Sequence, residues 1–449
     1  MRYFDAVVIG GGILGCMTAR ELRRWDISTL LLEKEADVCT GITRANSAIV
    51  YPGYDNKPGS LKAELTVRGN AEMEQLCREL DVPFSRCGSL LVTYDEASVS
   101  KLERKMKNGA RNGVPGLRLL SGPEAEAMEP MLRKGVVAAV YAPSTGTVNP
   151  WLLGIAACEN AVHNGAELRL DTAVTGIRRE ESGYTVETSG ESIRCRAVIN
   201  CAGLEADRVQ ELAFPPSVRL KLDGAEYLVL DPMAEKPGRI IFHQADSCGK
   251  GITAIPCPGG ELLISGVRKE LTEPFATTAE GLQELCADTH RLLPTLDTAE
   301  VIRSFGAVRP NPDRENGESI HDFCAEEPAP GFYSLIGIKT PGLTCARGLG
   351  ALVAEKAARY LGAGRRPDFD SNRKAIQKDP DDPDHHHILC QCRGISKGEI
   401  LEAIRRGARS VEAVKRRVGT GMGRCQGSRC TYAIVKILKE TGIDPDPLF

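Results

Sequence analysis

Long apolar runs are missing from this chain. None approaches the roughly 18 residues needed to cross a bilayer, and the sequence opens straight into the strand-like run Tyr3 to Ile9, with no leader of the secretory type before it. The expectation is a cytoplasmic protein with no intrinsic membrane span. Net charge is nearly absent as well: 57 Lys and Arg stand against 60 Asp and Glu, a formal −3, so no field argues for nucleic acid as a partner. Internal repeats are lacking. Hydrophobic residues at 42% and charged residues at 26% exclude a disordered, collagen-like or coiled-coil chain. What is present is length, 449 residues, enough at roughly 150 per domain for two or three domains, and sixteen cysteines. A reducing compartment disfavours disulfides, so closely spaced cysteines read first as a metal or redox site. Twelve of the sixteen lack such spacing and read as small buried hydrophobes, Cys16, Cys39, Cys77, Cys158 and Cys201 among them. The small net charge conceals an asymmetry, because 12 basic and 6 acidic residues from Ile388 onward set a tail of +6 against a body of −9.

The order of apolar runs gives the organisation. YFDAVVI (3–9) ends in Gly10-Gly11-Gly12, helix formers follow from Leu14 to Arg24, and a second run, Ser28 to Leu32, ends in Glu33. This is a β-α-β unit of about 30 residues. Residues 60–82 read as an amphipathic helix, 84–145 as mixed strand and helix, 151–164 as a helix, 167–187 as alternating strands and Arg196 to Cys201 as a buried strand ending in Ala202-Gly203. Over 217–310 short alternating stretches predict an antiparallel sheet; Phe332 to Ile338 is apolar again, then KTPGLT turns into a helix from Ala346 to Leu361. In KDPDDPDHHH (378–387) proline and charge replace every core-forming residue, which reads as a solvated linker, and its histidines find no further ligand at a useful spacing.

Gly10-x-Gly12-x-x-Gly15 between strand and helix permits a tight turn, close approach to a pyrophosphate and close helix packing, with the helix N-terminus facing the anion. Glu33, 23 residues after Gly10, stands where a carboxylate receives ribose hydroxyls. A purely structural glycine turn is the alternative. Three later segments, GITRANSA (41–48), AVINCAG (197–203) and GIKTPGLT (337–344), favour a flavin over nicotinamide. With these residues in view, residues 1–370 resemble the D-amino-acid-oxidase-like superfamily of FAD-dependent oxidoreductases. RANSAIVYPGYDNKPGSLKA and the later PGLT are most similar to its L-2-hydroxyglutarate oxidase and glycerol-3-phosphate dehydrogenase branches. The resemblance implies that Glu33 holds the adenosine ribose, that Arg44, Asn46 and Ser47 lie along the flavin and pyrophosphate, that Val174 flanks the adenine, that Ala202 and Gly203 close the late-strand turn, and that Gly342, Leu343 and Thr344 face the flavin pyrimidine. Where the hydroxyglutarate branch usually reads His-Ser-Gly, this chain has Tyr51-Pro52-Gly53, so no family histidine is available and noncovalent FAD is expected.

Cys390-x-Cys392, then Cys425-x4-Cys430, provide the four thiolates a 2Fe-2S cluster needs. A C-x-C pair is short for the usual zinc knuckle, though zinc stays open as an alternative. Ser396 and Glu399 predict a capping box, and Cys430 opens the helix TYAIVKILKE. ILCQCRG and GRCQGSRC resemble the bacterioferritin-associated-ferredoxin-like 2Fe-2S domain over about 388–442. Arg393, Arg424 and Arg429 adjoin these cysteines, while Arg405, Arg406, Arg416 and Arg417 read equally as cluster cations or as a solvated basic face.

The expected fold is therefore α/β and α+β. A Rossmann-like FAD-binding domain (about 1–80, 145–205 and 330–370) is combined with an antiparallel-sheet substrate domain (about 81–144 and 206–329). A linker (371–387) leads to a small, mainly helical 2Fe-2S module (388–449), expected to fold separately. A flavin takes a pair of electrons and a 2Fe-2S cluster passes them singly, so the combination implies a dehydrogenase handing electrons to a partner subunit. The architecture resembles the A subunit of anaerobic glycerol-3-phosphate dehydrogenase, whose relatives also serve in amino-acid dehydrogenases and hydrogen cyanide synthase. A small anionic substrate, glycerol 3-phosphate or a 2-hydroxy acid such as L-2-hydroxyglutarate, needs a bidentate cation. Arg309 in GAVRPNPD resembles the superfamily's substrate arginine, with Lys339 and Arg303 as weaker candidates and a structural ion pair as its alternative. His243 in IIFHQAD is a candidate base or a satisfied histidine. An amino-acid or amine dehydrogenase, and a relay subunit without its own organic substrate, remain the competing functions.

Overall fold

The structure, a computed structural model, describes residues 2–245, 251–270, 273–314 and 316–444. Cys248 lies outside the described residues.

Strand β1 (Arg2–Ile9), helix α1 (Ile13–Leu22) and strand β2 (Thr29–Leu32) form the predicted β-α-β unit. β1 lies between β2 and the strand Ser192–Asn200, parallel to both, with Ile9 opposite Leu32 on one side and Asn200 on the other. The three strands thus finish level. That register delivers Gly10, Glu33 and Cys201-Ala202-Gly203 to one edge of the sheet, the position at which parallel α/β sheets bind ligands. Glu167–Arg169 extends the sheet beyond β2. Beyond Ser192–Asn200 come Phe332–Ile336, parallel to its C-terminal half, and the Val174–Glu180 and Gly183–Thr188 hairpin along its N-terminal half. α1 is buried between the helices Pro150–His163 and Gly342–Leu361.

The second sheet has eight strands, in the order Val301–Asp313, Arg219–Leu230, Leu262–Glu270, Thr253–Pro256, Ile240–His243, Ser89–Thr93, Ala138–Ala142, Arg118–Ser121. All neighbours are antiparallel except Ile240–His243 with Ser89–Thr93. Helix α2 (Leu61–Leu80) packs on Gly342–Leu361 and Pro150–His163 in the core of the first domain, and its N-cap Ser60 accepts from the Ala63 N–H. The carboxylate of Asp322 accepts from the Leu61 and Lys62 N–H groups at 3.0 and 2.9 Å.

Two boundaries differ from the sequence reading. The segment Cys324–Ala329, assigned above to the substrate domain, is an edge strand of the first sheet, paired with Phe332–Ile336. Its sequence, CAEEPA, carries no alternation that would reveal this. The helix read as starting at Ala346 begins at Gly342, so GLT of the PGLT motif forms its first turn.

The C-terminal module pairs Ile388–Cys390 with Ile395–Ser396 and packs the helices Lys397–Arg405, Val411–Val418 and Thr431–Glu440 around Ile400, Ala403, Val414, Ile434 and Leu438. The Ser396–Glu399 capping box is formed. This module is docked on the first domain through Arg416 and Arg417 on Asp37; the stretch 378–387, read as a solvated linker, is largely exposed, while the residues before it are held in place. Asn160 donates to the carbonyls of Asp370 and Asn372 at 3.1 and 3.0 Å. The buried Arg373 meets Glu159 at 2.7 Å, and the Ala375 N–H reaches Asp81 at 2.9 Å. Pro383–His386 is a helical turn, with the His385 side chain 9% exposed. Composition told of the stretch's polarity; it could not tell that residues 370–375, just before it, find partners 200 or more residues away.

Candidate active site

A cavity of about 1130 Å³ runs from the β1–α1 turn to the second sheet. It is lined by Gly10, Gly12, Glu33, Arg44, Asn46, Ser47, Ala202 and Gly203 at one end, and by His243, Arg309, Lys339, Gly342 and Leu343 at the other. Gly15, Val174 and Thr344 do not line it.

The three glycines do different things. Gly10 has φ +101° and a Cβ there would lie 2.6 Å from the Cys201 carbonyl; at Gly15 it would lie 1.8 Å from the Gly10 carbonyl. Both are needed for strand and helix to approach. At Gly12 a Cβ would meet only Thr43 Oγ1, at 3.4 Å, so that glycine keeps space open toward the cavity. Glu33 is 8% exposed and accepts from the Gly11 N–H at 2.6 Å and the Glu35 N–H at 3.0 Å. Burial pushes its carboxyl above the ordinary range, against those two donors.

The 41–48 loop folds over the α1 N-terminus, where Thr43 Oγ1 accepts from the Ile13 N–H at 3.0 Å. Asn46 lines the cavity, but its side chain organises the loop, donating to the Thr43 carbonyl at 2.9 Å and accepting from the Ala48 N–H at 2.8 Å. Thr344, 1% exposed, accepts from the Tyr51 N–H at 3.0 Å and so ties that loop's end to the Gly342–Leu361 helix. Val174 opens an edge strand opposite Thr188 and packs with the apolar cluster beside Ile177 and Val186.

At the far end Arg309 sits on Val301–Asp313 opposite Asp223. Two residues on, Asn311 accepts from Lys339 Nζ at 3.2 Å and donates to Asp223 at 2.8 Å. Lys339 also donates to the Ile320 carbonyl at 3.3 Å. The sequence reading missed Lys62. This lysine does not line the cavity; it is 9% exposed at the start of α2, and its pKa is lowered to about 8 by burial first, then by Arg309 and Lys339. An ordinary helix pattern contains nothing to single it out. His243 lies with its ring edge-on to Tyr94, centroids 5.8 Å apart. Tyr51, in place of the family histidine, lines the cavity with its ring 6.2 Å from Phe242. Arg303 is not among the lining residues.

In the C-terminal module Cys390 and Cys430 are buried, at 2% and 1% exposure, and interact; Cys392 and Cys425 have their sulfurs 3.5 Å apart. Tetrahedral thiolate ligands at about 2.3 Å from a metal stand about 3.7 Å apart. The two pairs therefore match the two-plus-two demand of a 2Fe-2S cluster. A hydrogen bond from Cys392 and then the Gly427 N–H hold the Cys425 thiol below its ordinary value. Among the described residues no group of three or more His, Cys, Asp or Glu is gathered closely enough to hold a metal ion, so the cysteines stand as two pairs. Neither the arginines beside the cysteines nor those read equally as cluster cations or a solvated face form one surface. Arg416 and Arg417 are buried on Asp37, Arg424 meets Glu300 at 2.6 Å, and Arg393 pairs with Glu261.

Comparison with known proteins agrees with this geometry. Residues 5–356 match the FAD dependent oxidoreductase family and residues 388–440 the BFD-like 2Fe-2S binding domain. The chain belongs to the FAD-dependent oxidoreductase family. It uses FAD and carries a 2Fe-2S domain. A glycerol 3-phosphate dehydrogenase of Caloramator mitchellensis is 36% identical over 464 residues, 98% of this chain and 95% of that protein. The human mitochondrial L-2-hydroxyglutarate dehydrogenase is 34% identical over 244 residues, 51% of this chain and 52% of that one, so that match spans about half of each. In fold, the FAD-bound L-alpha-glycerophosphate oxidase of Mycoplasma pneumoniae superposes with a TM-score of 0.76 at 24% identity, over 83% of this chain and 99% of that one. Among the described residues no helix is long and apolar enough to cross a membrane.

Proposed function

We propose that this FAD-dependent oxidoreductase dehydrogenates the secondary alcohol of a small anionic substrate, glycerol 3-phosphate in the first place, and passes the electrons through its 2Fe-2S cluster to a partner subunit. The observation that carries the reading is the pair of cations, Arg309 and Lys339, lining the cavity end away from the β1–α1 turn, with Lys62, outside the lining, close enough for both to lower its pKa. Two cations on the wall with a buried third behind them make this end positive, and a phosphate dianion satisfies it better than a single carboxylate does. Similarity along nearly the whole chain to a glycerol 3-phosphate dehydrogenase supports the same substrate.

In this reading Arg309 takes the phosphate or carboxylate through its planar fork. Lys339, fixed by Asn311 and the Ile320 carbonyl, holds the second anionic oxygen. The substrate hydroxyl must lose a proton as the carbon loses hydride; among the cavity-lining residues His243 is the imidazole available, and we place that proton there. Gly12, Glu33, Arg44, Gly203, Gly342 and Leu343 would hold the FAD, whose chemistry when bound is to accept the hydride. Cys390, Cys392, Cys425 and Cys430 would hold the cluster.

The reading is tested by mixing the purified protein anaerobically with glycerol 3-phosphate, L-2-hydroxyglutarate and D- and L-amino acids while following flavin absorbance. Fast bleaching by glycerol 3-phosphate is expected. Bleaching by an amino acid with release of ammonia would replace the alcohol with an amine donor, and no bleaching by any of them would leave a relay subunit.

A further inference from the structure

The helix Val411–Val418 turns Val411 and Val414 into the module core and places Ser410, Glu412 and Arg416 on the wall of the flavin cavity. Nothing in a tethered iron-sulfur domain requires that. The contact is anchored by Asp37, which is 3% exposed and lies four residues past Glu33. Arg417 engages both Asp37 oxygens at 2.9 Å, and Arg416 donates from Nη2 at 2.7 Å. Burial opposes the Asp37 charge, but Arg417 and Arg416 outweigh it and hold its carboxyl below the ordinary range.

Charge matching at this wall leaves a remainder. Glu412 is met by Lys415 at 3.1 Å and Asp37 by the bidentate Arg417, so Arg416 brings one positive charge beyond what its neighbours neutralise. Its side chain is 7% exposed, and its Nε is buried with no hydrogen-bond partner among the described atoms. Arg44 lines the same cavity, and among the described residues its guanidinium makes no hydrogen bond or ion pair, only a contact with the Phe275 ring at 5.5 Å. The two guanidinium groups are near enough that, after burial, Arg416 is the main cause lowering the Arg44 pKa. Two like charges facing one space, with Asp37 shared with Arg417 and Glu412 shared with Lys415, describe an anion site. That space adjoins the α1 N-terminus. Arg44 follows Thr43, which binds the Ile13 N–H, and Val38, next to Asp37, lies 3.0 Å from where a Gly11 Cβ would stand.

We propose that the 2Fe-2S module contributes a residue to the flavin site: Arg416, positioned by Asp37, pairs with Arg44 to bind the diphosphate of FAD. The iron-sulfur module is then part of the nucleotide pocket, and cofactor retention and module docking strengthen each other.

The test is the dissociation constant of FAD, read by fluorescence quenching on the full-length, deflavinated protein, with iron and acid-labile sulfide measured on the same samples. Arg416→Met should weaken FAD about tenfold while iron and sulfide stay at wild-type levels, and Arg416→Lys should remain within threefold of wild type. Asp37→Asn, which keeps an acceptor for the two arginines, should also stay within threefold. A change of less than threefold in Arg416→Met overturns the proposal. So does an equal loss in Asp37→Asn, because Arg416 would then act only by docking the module. If Arg416→Met loses its iron, Arg416→Gln and Arg416→Lys decide: Gln keeps a hydrogen bond to Asp37 without the charge, and equal FAD affinity in the two rules out a charge on the diphosphate.

Discussion

At the nucleotide end of the cavity the backbone sets the shape. Three strands finish level, Gly10 and Gly15 let strand and helix touch, and Glu33 is aimed by the Gly11 and Glu35 N–H groups. At the substrate end side chains from distant segments do so: Arg309 from a strand and Lys339 from the loop before the last helix of the FAD domain, with Lys62 at the head of α2, some 250 residues before Arg309, buried behind them. The first end tolerates change only where its glycines face the cavity. The second is adjustable one side chain at a time, which suits a family whose members act on different substrates around one cofactor.

The largest effect should come from breaking the nucleotide end. Gly15→Ala drives a methyl into the Gly10 carbonyl and should destabilise the fold by about 3 kcal/mol in denaturant titration. Gly12→Ala meets only Thr43 and should leave unfolding nearly unchanged while FAD binds at least tenfold more weakly. If both variants unfold alike, Gly12 is a packing glycine and the distinction drawn between them fails.

Arg309→Met should lower kcat/KM for the anionic substrate by about 3 kcal/mol, two to three decades, with FAD content unchanged; Arg309→Lys, which keeps the charge without the fork, should cost about 2 kcal/mol. Loss of FAD in Arg309→Met would make that arginine structural.

The smallest effect is a pH dependence. Lys62 has its pKa lowered to about 8, so it is charged below that pH and neutral above it. Three cations then become two as pH rises, and KM for the anion should climb through pH 8 by a few fold. Lys62→Gln should begin with the higher KM and lose that inflection. A wild-type profile in Lys62→Gln would remove the lysine from the anion site.

The same contrast explains what the sequence disclosed. The glycines, Glu33 and the four cysteines sit in short windows whose spacing is itself the chemistry, and Ser396 and Glu399 announce their helix in four residues. Lys62 looks like any charge on an amphipathic helix, because its meaning comes from Arg309 and Lys339 across the fold. Asn46 and Thr344 belong to flavin-like motifs, yet their side chains are taken up in holding the loop. The docking of the C-terminal module had one signal, the charge asymmetry between tail and body, and that asymmetry reappears as arginines on Asp37, Glu159, Glu261 and Glu300.

The central claim is that a pair of electrons enters at the Arg309 end and leaves singly through the cysteine module. Its most direct test is anaerobic addition of glycerol 3-phosphate to wild type and to Cys425→Ser, with flavin absorbance and the EPR signal of a reduced 2Fe-2S centre followed together. The account predicts bleaching in both proteins, with the EPR signal developing behind it in wild type and absent from Cys425→Ser. Bleaching in wild type with the iron-sulfur centre remaining oxidised would contradict it.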